Sequence, residues 1–413
     1  MKKLPSSWTT CLLEDVLQYE QPTKYIVEST NYTETGTPVL TAGKSFLLGY
    51  TQEKNGVFDA KDLPVIIFDD FTTATKFVDF PFKVKSSAMK ILHADRNVDI
   101  LYFYYLMQTI QYRAETHKRY WISEYAKQEV ALPPLAEQKR IVGKIEELFA
   151  EVDKGIDLLK QKQAELKKYR QSVLSAAFSG KLYKTTNWPT AQLKEVLDVN
   201  PKTEVPSFSD EEIVSFLPMP AVEAEINFYQ EEAAEYKKVK KGYTKFQNKD
   251  VLFAKITPCM ENGKGCIVDN LRKGVGFGST EFHVLRSNGR VLPKLLILFV
   301  LSLNFRKEAK MHMTGAVGQQ RVPADFIKNH TFLLPTLPEQ EQIVAEIEQR
   351  FGKADILEKS IEDALENAEK LKQSILKKAF EGKLVPKDPN DEPASVLLER
   401  IKSEQSPKKG KKK

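Results

Sequence analysis

The segment Leu132-Pro133-Pro134-Leu135-Ala136-Glu137-Gln138 occurs a second time, 202 positions later, as Leu334-Pro335-Thr336-Leu337-Pro338-Glu339-Gln340. The correspondence continues without a gap until residues 178–182 align with residues 380–384. Of the 51 aligned positions, 20 are identical, which is far more than two unrelated segments of this composition would share. The chain therefore contains an internal duplication, and a duplication of this kind governs the architecture of the whole molecule.

Each copy is predicted to form one long helix. Prolines at its start, followed by Glu137 or Glu339, suit the positive end of a helix. Gly180 and Gly382 lie where a helix ends in a left-handed residue. Between these ends, positions three or four residues apart form a narrow, mostly apolar stripe: Ile145, Leu148, Val152, Ile156, Leu159, Gln163, Leu166, Arg170, Val173 and Ala177 in the first copy, and Ile347, Phe351, Ala354, Leu357, Ile361, Leu365, Ala368, Leu371, Ile375 and Ala379 in the second.

Such a stripe on an otherwise charged helix is typical of a coiled coil. Two stripes in one chain most simply bury each other, and we expect the two helices to pack antiparallel. About 40 helical residues at roughly 1.5 Å each would form a rod of roughly 60 Å, long enough to hold two bodies apart. An ordinary helical hairpin inside one globular core is the alternative.

Length and composition narrow the class of protein. With 413 residues the chain exceeds the size of a single core and should contain several domains. It has no apolar run of 18 residues, and its first residues lack the apolar centre of a signal peptide, so no membrane association is expected. Three cysteines, Cys11, Cys259 and Cys266, have no metal-site spacing, which favours a reducing, cytoplasmic location.

Two variable segments precede the two helix copies. The first opens at Trp8 and the second at Trp188, with similar residues following each tryptophan, but their interiors do not align convincingly. Each is predicted to be an α+β domain with a mostly antiparallel sheet. The predicted strands are residues 65–68 and 82–85 around a threonine-rich turn, and 251–254 and 281–285 around a glycine-rich stretch; the predicted helices are residues 99–112 and 295–303.

No catalytic constellation is evident. The five histidines are scattered, no His-Glu-x-x-His or Cys/His cluster occurs, and Asp69-Asp70 precedes a turn without a neighbouring motif that would make it a metal site. The glycines between residues 263 and 278 do not spell a dinucleotide-binding pattern and are better explained by turns between strands. The sequence thus predicts neither a cofactor nor a metal site.

Binding chemistry is the remaining signal. Residues 117–121 (HKRYW) and 318–321 (GQQR) stand at matching places shortly before the two helices. Arginine can contact guanine bidentately, glutamine can contact adenine, and lysine binds phosphate. The candidate DNA-binding residues are Lys76, Lys83, Lys85, His117, Lys118, Arg119, Tyr120, Lys237, Lys238, Lys240, Lys241, Lys255, Gln319, Gln320 and Arg321. A solvated surface role for these side chains is the alternative.

The two copies, their order and their spacing resemble the specificity (S) subunit of type I DNA restriction–modification systems. The resemblance rests on the Leu-Pro-Pro-Leu-x-Glu-Gln entry and on the closing Ala-Phe-x-Gly-Lys-Leu at residues 177–182 and 379–384. It implies two target recognition domains, residues 1–131 and 188–333. It also implies two helical segments for spacing and partner docking, residues 132–187 and 334–392, and leaves a short helix and basic tail at 393–413.

The resemblance further implies that each domain reads half of a split site in double-stranded DNA. Two methyltransferase subunits would use S-adenosylmethionine, and restriction subunits would use ATP and Mg²⁺, so this chain itself would be non-catalytic and hold no cofactor. The first domain departs from the expectation of a basic reader, because residues 8–131 carry 13 basic and 16 acidic groups. A stand-alone DNA methyltransferase or nuclease, or a coiled-coil scaffold that binds no DNA, are the alternatives.

Overall fold

The structure, a computed structural model, describes residues 4–41, 45–110, 119–183, 188–224, 227–316 and 318–405. It contains two compact units. One comprises Met1–Leu158 together with Ala364–Lys413, and the other comprises Leu159–Asp363. The first unit holds the first variable domain and the second unit holds the second variable domain, each with parts of both long helices.

The first domain is built mostly from short strands. They are β1 (Thr9–Leu12), β2 (Leu17–Glu20), β3 (Thr37–Leu40), β4 (Leu47–Thr51), β5 (Val65–Asp69), β6 (Thr75–Val78), β7 (Lys83–Val84), β8 (Met89–Ala94) and β9 (Glu129–Leu132). Its helices are α1 (Leu13–Val16), α2 (Ile100–Met107) and α3 (Tyr120–Ser123). One antiparallel sheet has the order β2-β8-β5-β6, a second has the order β4-β3-β7 with β3 parallel to β7, and β1 pairs with β9.

The second domain repeats this plan. Its strands are β10 (Thr190–Gln192), β11 (Leu197–Val199), β12 (Ile213–Leu217), β13 (Glu232–Glu235), β14 (Thr244–Gln247), β15 (Val251–Ala254), β16 (Gly265–Ile267), β17 (Val275–Gly278), β18 (Phe282–Ser287) and β19 (Thr331–Leu333). The sheet β11-β18-β15-β16 has the same order as β2-β8-β5-β6, and β12 runs parallel to β17 as β3 does to β7. The two variable domains therefore share the strand order of their main sheet although their interiors do not align. Their second sheets differ in size, with three strands in the first domain and four, in the order β13-β12-β17-β14, in the second.

The first long helix, α4 (Leu135–Phe178), lies between the two domains. The second domain contains α5 (Tyr236–Val239), α6 (Pro293–Val300), α7 (Leu303–Met311) and α8 (Ala324–Asn329). The second long helix, α9 (Leu337–Phe380), and α10 (Ala394–Gln405) follow it. The two long helices α4 and α9 have the same length of 44 residues. Each ends at a glycine in the left-handed region, Gly180 (φ 73°) and Gly382 (φ 68°), as predicted.

Antiparallel packing of α4 against α9 is confirmed by a contact that occurs once in each unit. In the first unit the Lys372 ammonium lies 2.5 Å from the Asp153 carboxylate and 5.3 Å from the centre of the Phe149 ring. In the second unit Arg170 lies 2.7 Å from Asp355 and 5.3 Å from the ring at position 351. The repeat shift of 202 positions converts one set into the other, so the duplicated helices pack by a duplicated contact.

Part of the predicted stripe on the second helix is wrong by one residue. Leu357 and Leu371 are 54% and 50% exposed, whereas their neighbours Glu358 and Lys372 face the partner helix and form ion pairs with it. A regular alternation of three and four residues from Phe351 reaches residues 358 and 372 rather than the two leucines. The hydrophobic residue type had suggested the wrong position, because long charged side chains can also occupy such a seam.

The predicted strands and helices of the domains also need corrections. The strand at 65–68 pairs across the threonine-rich turn with β6, not with residues 82–85, which form part of another sheet. The helix predicted at 99–112 ends at Met107, and residues 111 and 112 lie outside the described part of the chain. The helix predicted at 295–303 stops at Val300, because Ser302 caps a new helix by accepting a hydrogen bond from Phe305 N–H.

The glycine-rich stretch at 263–278 is not only turns. Gly265 belongs to β16, and Gly276 and Gly278 belong to β17. A side chain at position 276 would overlap the Phe246 ring, and one at position 278 would meet the Leu217 carbonyl. These two glycines are therefore required for close packing within the sheet.

Candidate nucleic-acid interface

The same backbone hydrogen bond places an arginine at one equivalent position in each domain. In the first domain Tyr120 N–H donates to the carbonyl of Asp70 at 3.0 Å, directly after β5. In the second, Val322 N–H donates to the carbonyl of Lys255 at 2.9 Å, directly after β15. Arg119 and Arg321 immediately precede the two donors. The matching places inferred from the sequence for these two arginines are thus confirmed by the backbone geometry.

Arg321 lies in a cluster of polar side chains in the second domain. Its guanidinium contacts Glu281 through two hydrogen bonds of 2.9 and 2.7 Å and donates a third to the Gln319 carbonyl at 3.1 Å. The Arg321 cation lowers the pKa of the Glu281 carboxyl, and the carboxylate in turn raises the pKa of Arg321. Gln319 is exposed, and the half-buried Gln320 accepts a backbone hydrogen bond from Thr257. The cluster presents donors of the types that contact base edges and phosphates.

A buried histidine holds the backbone next to Arg321 in place. His283 lies on β18, donates from Nε2 to the Val322 carbonyl at 2.8 Å and contacts Asn200 through its other ring nitrogen. Burial is the main cause that lowers the pKa of His283, because it disfavours the charged form of the ring. Because Val322 follows Arg321, the ring fixes the backbone that carries the arginine.

A buried ion pair has the corresponding place in the first domain. Lys90 lies opposite Phe68 across the strands, as His283 lies opposite Phe253. Its ammonium is 3.2 Å from Asp70 and donates to Gln21 at 2.9 Å, and both charged side chains are almost completely buried. Asp70 also accepts a hydrogen bond of 2.8 Å from the N–H of Trp121. We call the residues around Arg119 and around Arg321 the arginine loops. Each domain therefore anchors its arginine loop to the sheet that contains β5 or β15, the first domain by an ion pair and the second by a histidine.

Two of the predicted DNA-binding residues are buried, which excludes them from contact with DNA. Lys83 is 2% exposed, and its ammonium is held by the Glu53 carboxylate at 2.6 Å and by the Asn55 carbonyl at 2.7 Å. Tyr120 is 1% exposed and belongs to the core of the domain. Aromatic and basic residue types had suggested surface roles, but their side chains point inward. A buried and bonded group has no donor to offer to a ligand.

The other predicted DNA-binding residues of the first domain are either exposed or lie outside the described part of the chain. Lys76 is exposed on β6 with its ammonium 5.7 Å from the centre of the Phe46 ring, and Lys85 is exposed directly after β7. Arg119 is exposed at the start of α3. His117 and Lys118 lie outside the described residues, so the basic run is represented here by Arg119 alone.

Three of the four lysines in the predicted patch of the second domain, residues 237, 238 and 240, form ion pairs with two carboxylates. Lys237 and Lys238 both face Glu235, at 2.9 and 3.6 Å, and Lys240 pairs with Asp210 at 2.8 Å. These lysines lie on or beside α5, which packs against the sheet containing β12 and β13, whereas Arg321 stands beside the sheet containing β15 and β18. Lys241 is exposed, and the half-buried Lys255 joins the Arg321 cluster. The structure thus separates the lysine patch from the arginine loop.

Sequence reasoning missed the residues that anchor the loops. Lys90 interrupts the apolar run of β8, and His283 interrupts that of β18. A polar residue inside a buried strand is a recognisable signal, because burial requires a partner. Asp70 and Glu281 carried no comparable signal, since their partners come from distant parts of the chain.

Two further observations concern the described residues as a whole. Among them, no helix is long and apolar enough to cross a membrane. In the same part of the chain, no group of three or more histidine, cysteine or acidic side chains is arranged to hold a metal ion.

Two domains with the same order of strands in the main sheet, each bearing an arginine at an equivalent place and each joined to a copy of one long helix, define a protein built by internal duplication. More specifically, the chain belongs to the family described as the type I restriction modification DNA specificity domain. The family model matches the chain twice, over residues 5–168 and 185–367. The two matches coincide with the two halves of the duplication.

The chain is similar to specificity subunits of characterised restriction enzymes. It is 37% identical over 262 residues to the type I restriction enzyme EcoAI specificity subunit of Escherichia coli, a match that covers 53% of this chain and 44% of the relative. It is 44% identical over 178 residues to the EcoR124I/EcoR124II specificity subunit of the same species, covering 40% of this chain and 43% of the relative. The matched part thus spans less than half the length of these relatives.

A solved structure has the same fold. It comes from work on complex assembly and conformational transition of the type I R-M system, and it superposes with a TM-score of 0.67 at 19% sequence identity. The superposition covers 93% of this chain and 100% of that chain. At this level of identity the likeness concerns the fold alone.

Proposed function

We propose that the chain is the DNA sequence-specificity subunit of a type I restriction–modification complex. Each variable domain reads one half of a bipartite site in double-stranded DNA, and the α4/α9 pair sets the unread gap between the halves. The observation that carries the proposal is the repetition of Arg119 at Arg321 on equivalent loops of equivalent domains. An arginine held by rigid secondary structure can contact guanine bidentately or bind phosphate.

Catalysis belongs to partner subunits in this proposal. Two methyltransferase subunits dock on the long helices and methylate adenine with S-adenosylmethionine, and restriction subunits use ATP and Mg²⁺ to translocate and cut DNA. The chain acts in the cytoplasm, where the genomic DNA lies. The family membership and the names of the similar relatives support this assignment. Incubation of the purified chain with DNA and either S-adenosylmethionine or Mg²⁺ should give no turnover, and turnover would favour a stand-alone enzyme.

The direct test is methylome sequencing of cells that carry the chain with its methyltransferase subunit. A two-part methylated motif with a fixed gap is expected. If the chain is a scaffold that does not recognise DNA, the motif should stay unchanged when residues 188–333 are exchanged for another recognition domain. If it does, that exchange alters one half of the motif only.

The gap-setting role has its own test. Four residues inserted near Leu159 add roughly 6 Å of helix, which corresponds to one or two base pairs. A matching insertion between Asp355 and Lys372 is needed, because otherwise the Asp153–Lys372 and Arg170–Asp355 pairs cannot both form. The paired insertion should lengthen the gap and leave both half-sites unchanged. Altered half-sites with an unchanged gap would contradict a gap-setting helix pair.

A further inference from the structure

One glutamine in the first turn of each long helix is completely buried. Gln138 on α4 and Gln340 on α9 both have no exposed surface. A glutamine side chain carries two N–H donors and one carbonyl acceptor, and burying it is unfavourable unless these groups are hydrogen-bonded. The repeat therefore places the same demanding side chain at the same position twice.

In the first unit Gln138 joins the long helix to the first variable domain. Its Oε1 accepts a hydrogen bond of 2.9 Å from the backbone N–H of Asp99, the residue immediately before α2. Its Nε2 donates at 2.9 Å to the carbonyl of Pro133, just before α4. The amide thus connects the start of the domain helix to the start of the long helix.

In the second unit Gln340 makes the equivalent connection. Its Oε1 accepts a hydrogen bond of 2.8 Å from the backbone N–H of Leu292, the residue immediately before α6. Its Nε2 donates to the carbonyls of Arg290 at 2.9 Å and Pro335 at 3.0 Å. The helices α2 and α6 follow equivalent strands, so both glutamines bind the same topological point.

Every partner of these two amides is a backbone atom. The residues that offer the N–H group are chemically unlike: Asp99 caps its own helix through its carboxylate, whereas Leu292 cannot and is followed by Pro293. The glutamine is insensitive to this difference because it contacts only the N–H. Backbone pairing of β1 with β9 and of β10 with β19 also joins this junction, and apolar side chains of the domain and of the long helix pack beside it.

We propose that Gln138 and Gln340 are positioning residues that orient each recognition domain on the end of its long helix by binding backbone atoms, whichever apolar side chains pack beside them. A domain of a different sequence but the same topology is then held in the same orientation, so the repeat sets how the domain meets DNA. This inference rests on the proposed function for its consequence in DNA reading. The seating itself is testable without DNA.

The first experiment measures amide hydrogen exchange in the full chain. Gln340→Leu removes the acceptor for Leu292, so the Leu292 amide should exchange on the order of tenfold faster. Gln342→Leu, on the exposed side of the same helix, is the matched control and should leave that amide unchanged. In the Gln138→Leu variant the Asp99 amide should exchange faster, while the Leu292 amide should exchange at the same rate as in the parent chain. Should a leucine variant fail to fold, Gln340→Asn keeps the amide but is too short to reach Leu292.

The second experiment distinguishes positioning from general stabilisation. In cells with the methyltransferase subunit, Gln340→Leu should reduce the fidelity of the half-site read by the second domain and spare the other half-site. The same loss should persist after residues 188–333 are exchanged for another recognition domain. Equal Leu292 exchange in the Gln340→Leu and Gln342→Leu variants, or equal loss of both half-sites, would overturn the proposal. If exchange responds as expected but the unmodified chain directs no methylation, the proposed function fails and the seating role stands.

Discussion

Arg321→Ala tests whether the arginine loop binds DNA or only stabilises its own domain. The ion pair with Glu281 is partly exposed, with side chains 43% and 23% accessible, so its loss should lower folding stability by at most about 1 kcal/mol. A direct contact of Arg321 with a base or phosphate is worth about 1–3 kcal/mol of binding free energy, or roughly 5- to 150-fold in affinity. The binding loss should therefore exceed the stability loss.

A second effect adds to the binding loss. The pKa of Glu281 is lowered mainly by its hydrogen bond with Arg321, and in the variant this carboxylate would face DNA without the guanidinium that is hydrogen-bonded to it. The double variant Arg321→Ala/Glu281→Gln removes that negative charge and should recover part of the affinity. Arg119→Ala should weaken binding without this second component, because the position equivalent to Glu281 in the first domain is Ala88.

The assay is a fluorescence anisotropy titration of the chain, with its methyltransferase subunit, against a duplex carrying the methylated motif at fixed salt. Urea unfolding of the same variants gives the stability change. Arg96→Ala, which removes a similar two-bonded pair with Glu404, is the control for loss of a surface ion pair. If Arg321→Ala binds DNA within about twofold of the parent, the arginine is a structural residue and the assigned interface is wrong.

Three further predictions concern stability. Lys90→Met leaves Asp70 buried without its cation and should lower the free energy of unfolding by about 3–5 kcal/mol, measured in urea. Hydrogen bonding by Lys83 holds the pKa of Glu53 at about 2, below its ordinary value of 4.5, so this pair stabilises the fold above pH 4.5 and the stabilisation is lost as pH falls towards 2. Thermal unfolding of Glu53→Gln should show a weaker decline between pH 5 and 3. Gly276→Ala forces a methyl group into the Phe246 ring and should cost about 1–3 kcal/mol in urea unfolding.

Matched variants separate these effects from nonspecific damage. Lys76→Met removes an exposed lysine of the same domain and should be nearly neutral, and Asp70→Asn combined with Lys90→Met should recover part of the lost stability. Gly143→Ala, in open space on α4, should stabilise that helix by up to about 1 kcal/mol. An unchanged acid decline in Glu53→Gln, or a Gly276→Ala variant as stable as the parent, would contradict the assigned packing.

The long helices were predictable because their information is local. The spacing of apolar residues, the acidic first turn and the terminal glycine all lie within one copy, and the second copy repeats them. The error at Leu357 and Leu371 arose where residue type and position disagree, since Lys372 and Glu358 occupy the seam. A helix seam is defined by geometry, and only the partner helix decides which side chains fit there.

The domain interiors were less predictable because their structure depends on pairing between distant segments. The strand at residues 65–68 has its hairpin partner at β6, a four-residue strand in which only Val78 is fully buried, and this partner was overlooked. The common order of the two main sheets could not be inferred, because strand order is set by long-range contacts that leave little trace in a single sequence. Lys90 and His283 occupy equivalent positions in the two sheets, where Lys90 stabilises the arginine loop through an ion pair and His283 through a hydrogen bond.

The position of the arginine loops could be inferred from the sequence, whereas their chemistry could not. Arg119 and Arg321 stand at the same distance before α4 and α9, so counting back from the repeat finds both. Their surroundings come from the variable parts of the chain: Glu281 binds Arg321, and Ala88 leaves the equivalent position beside Arg119 without a carboxylate. Under the proposed function, two domains that recognise different targets require the same backbone position with different neighbouring side chains. The repeat would then determine where recognition takes place, and the variable segments would determine what is recognised.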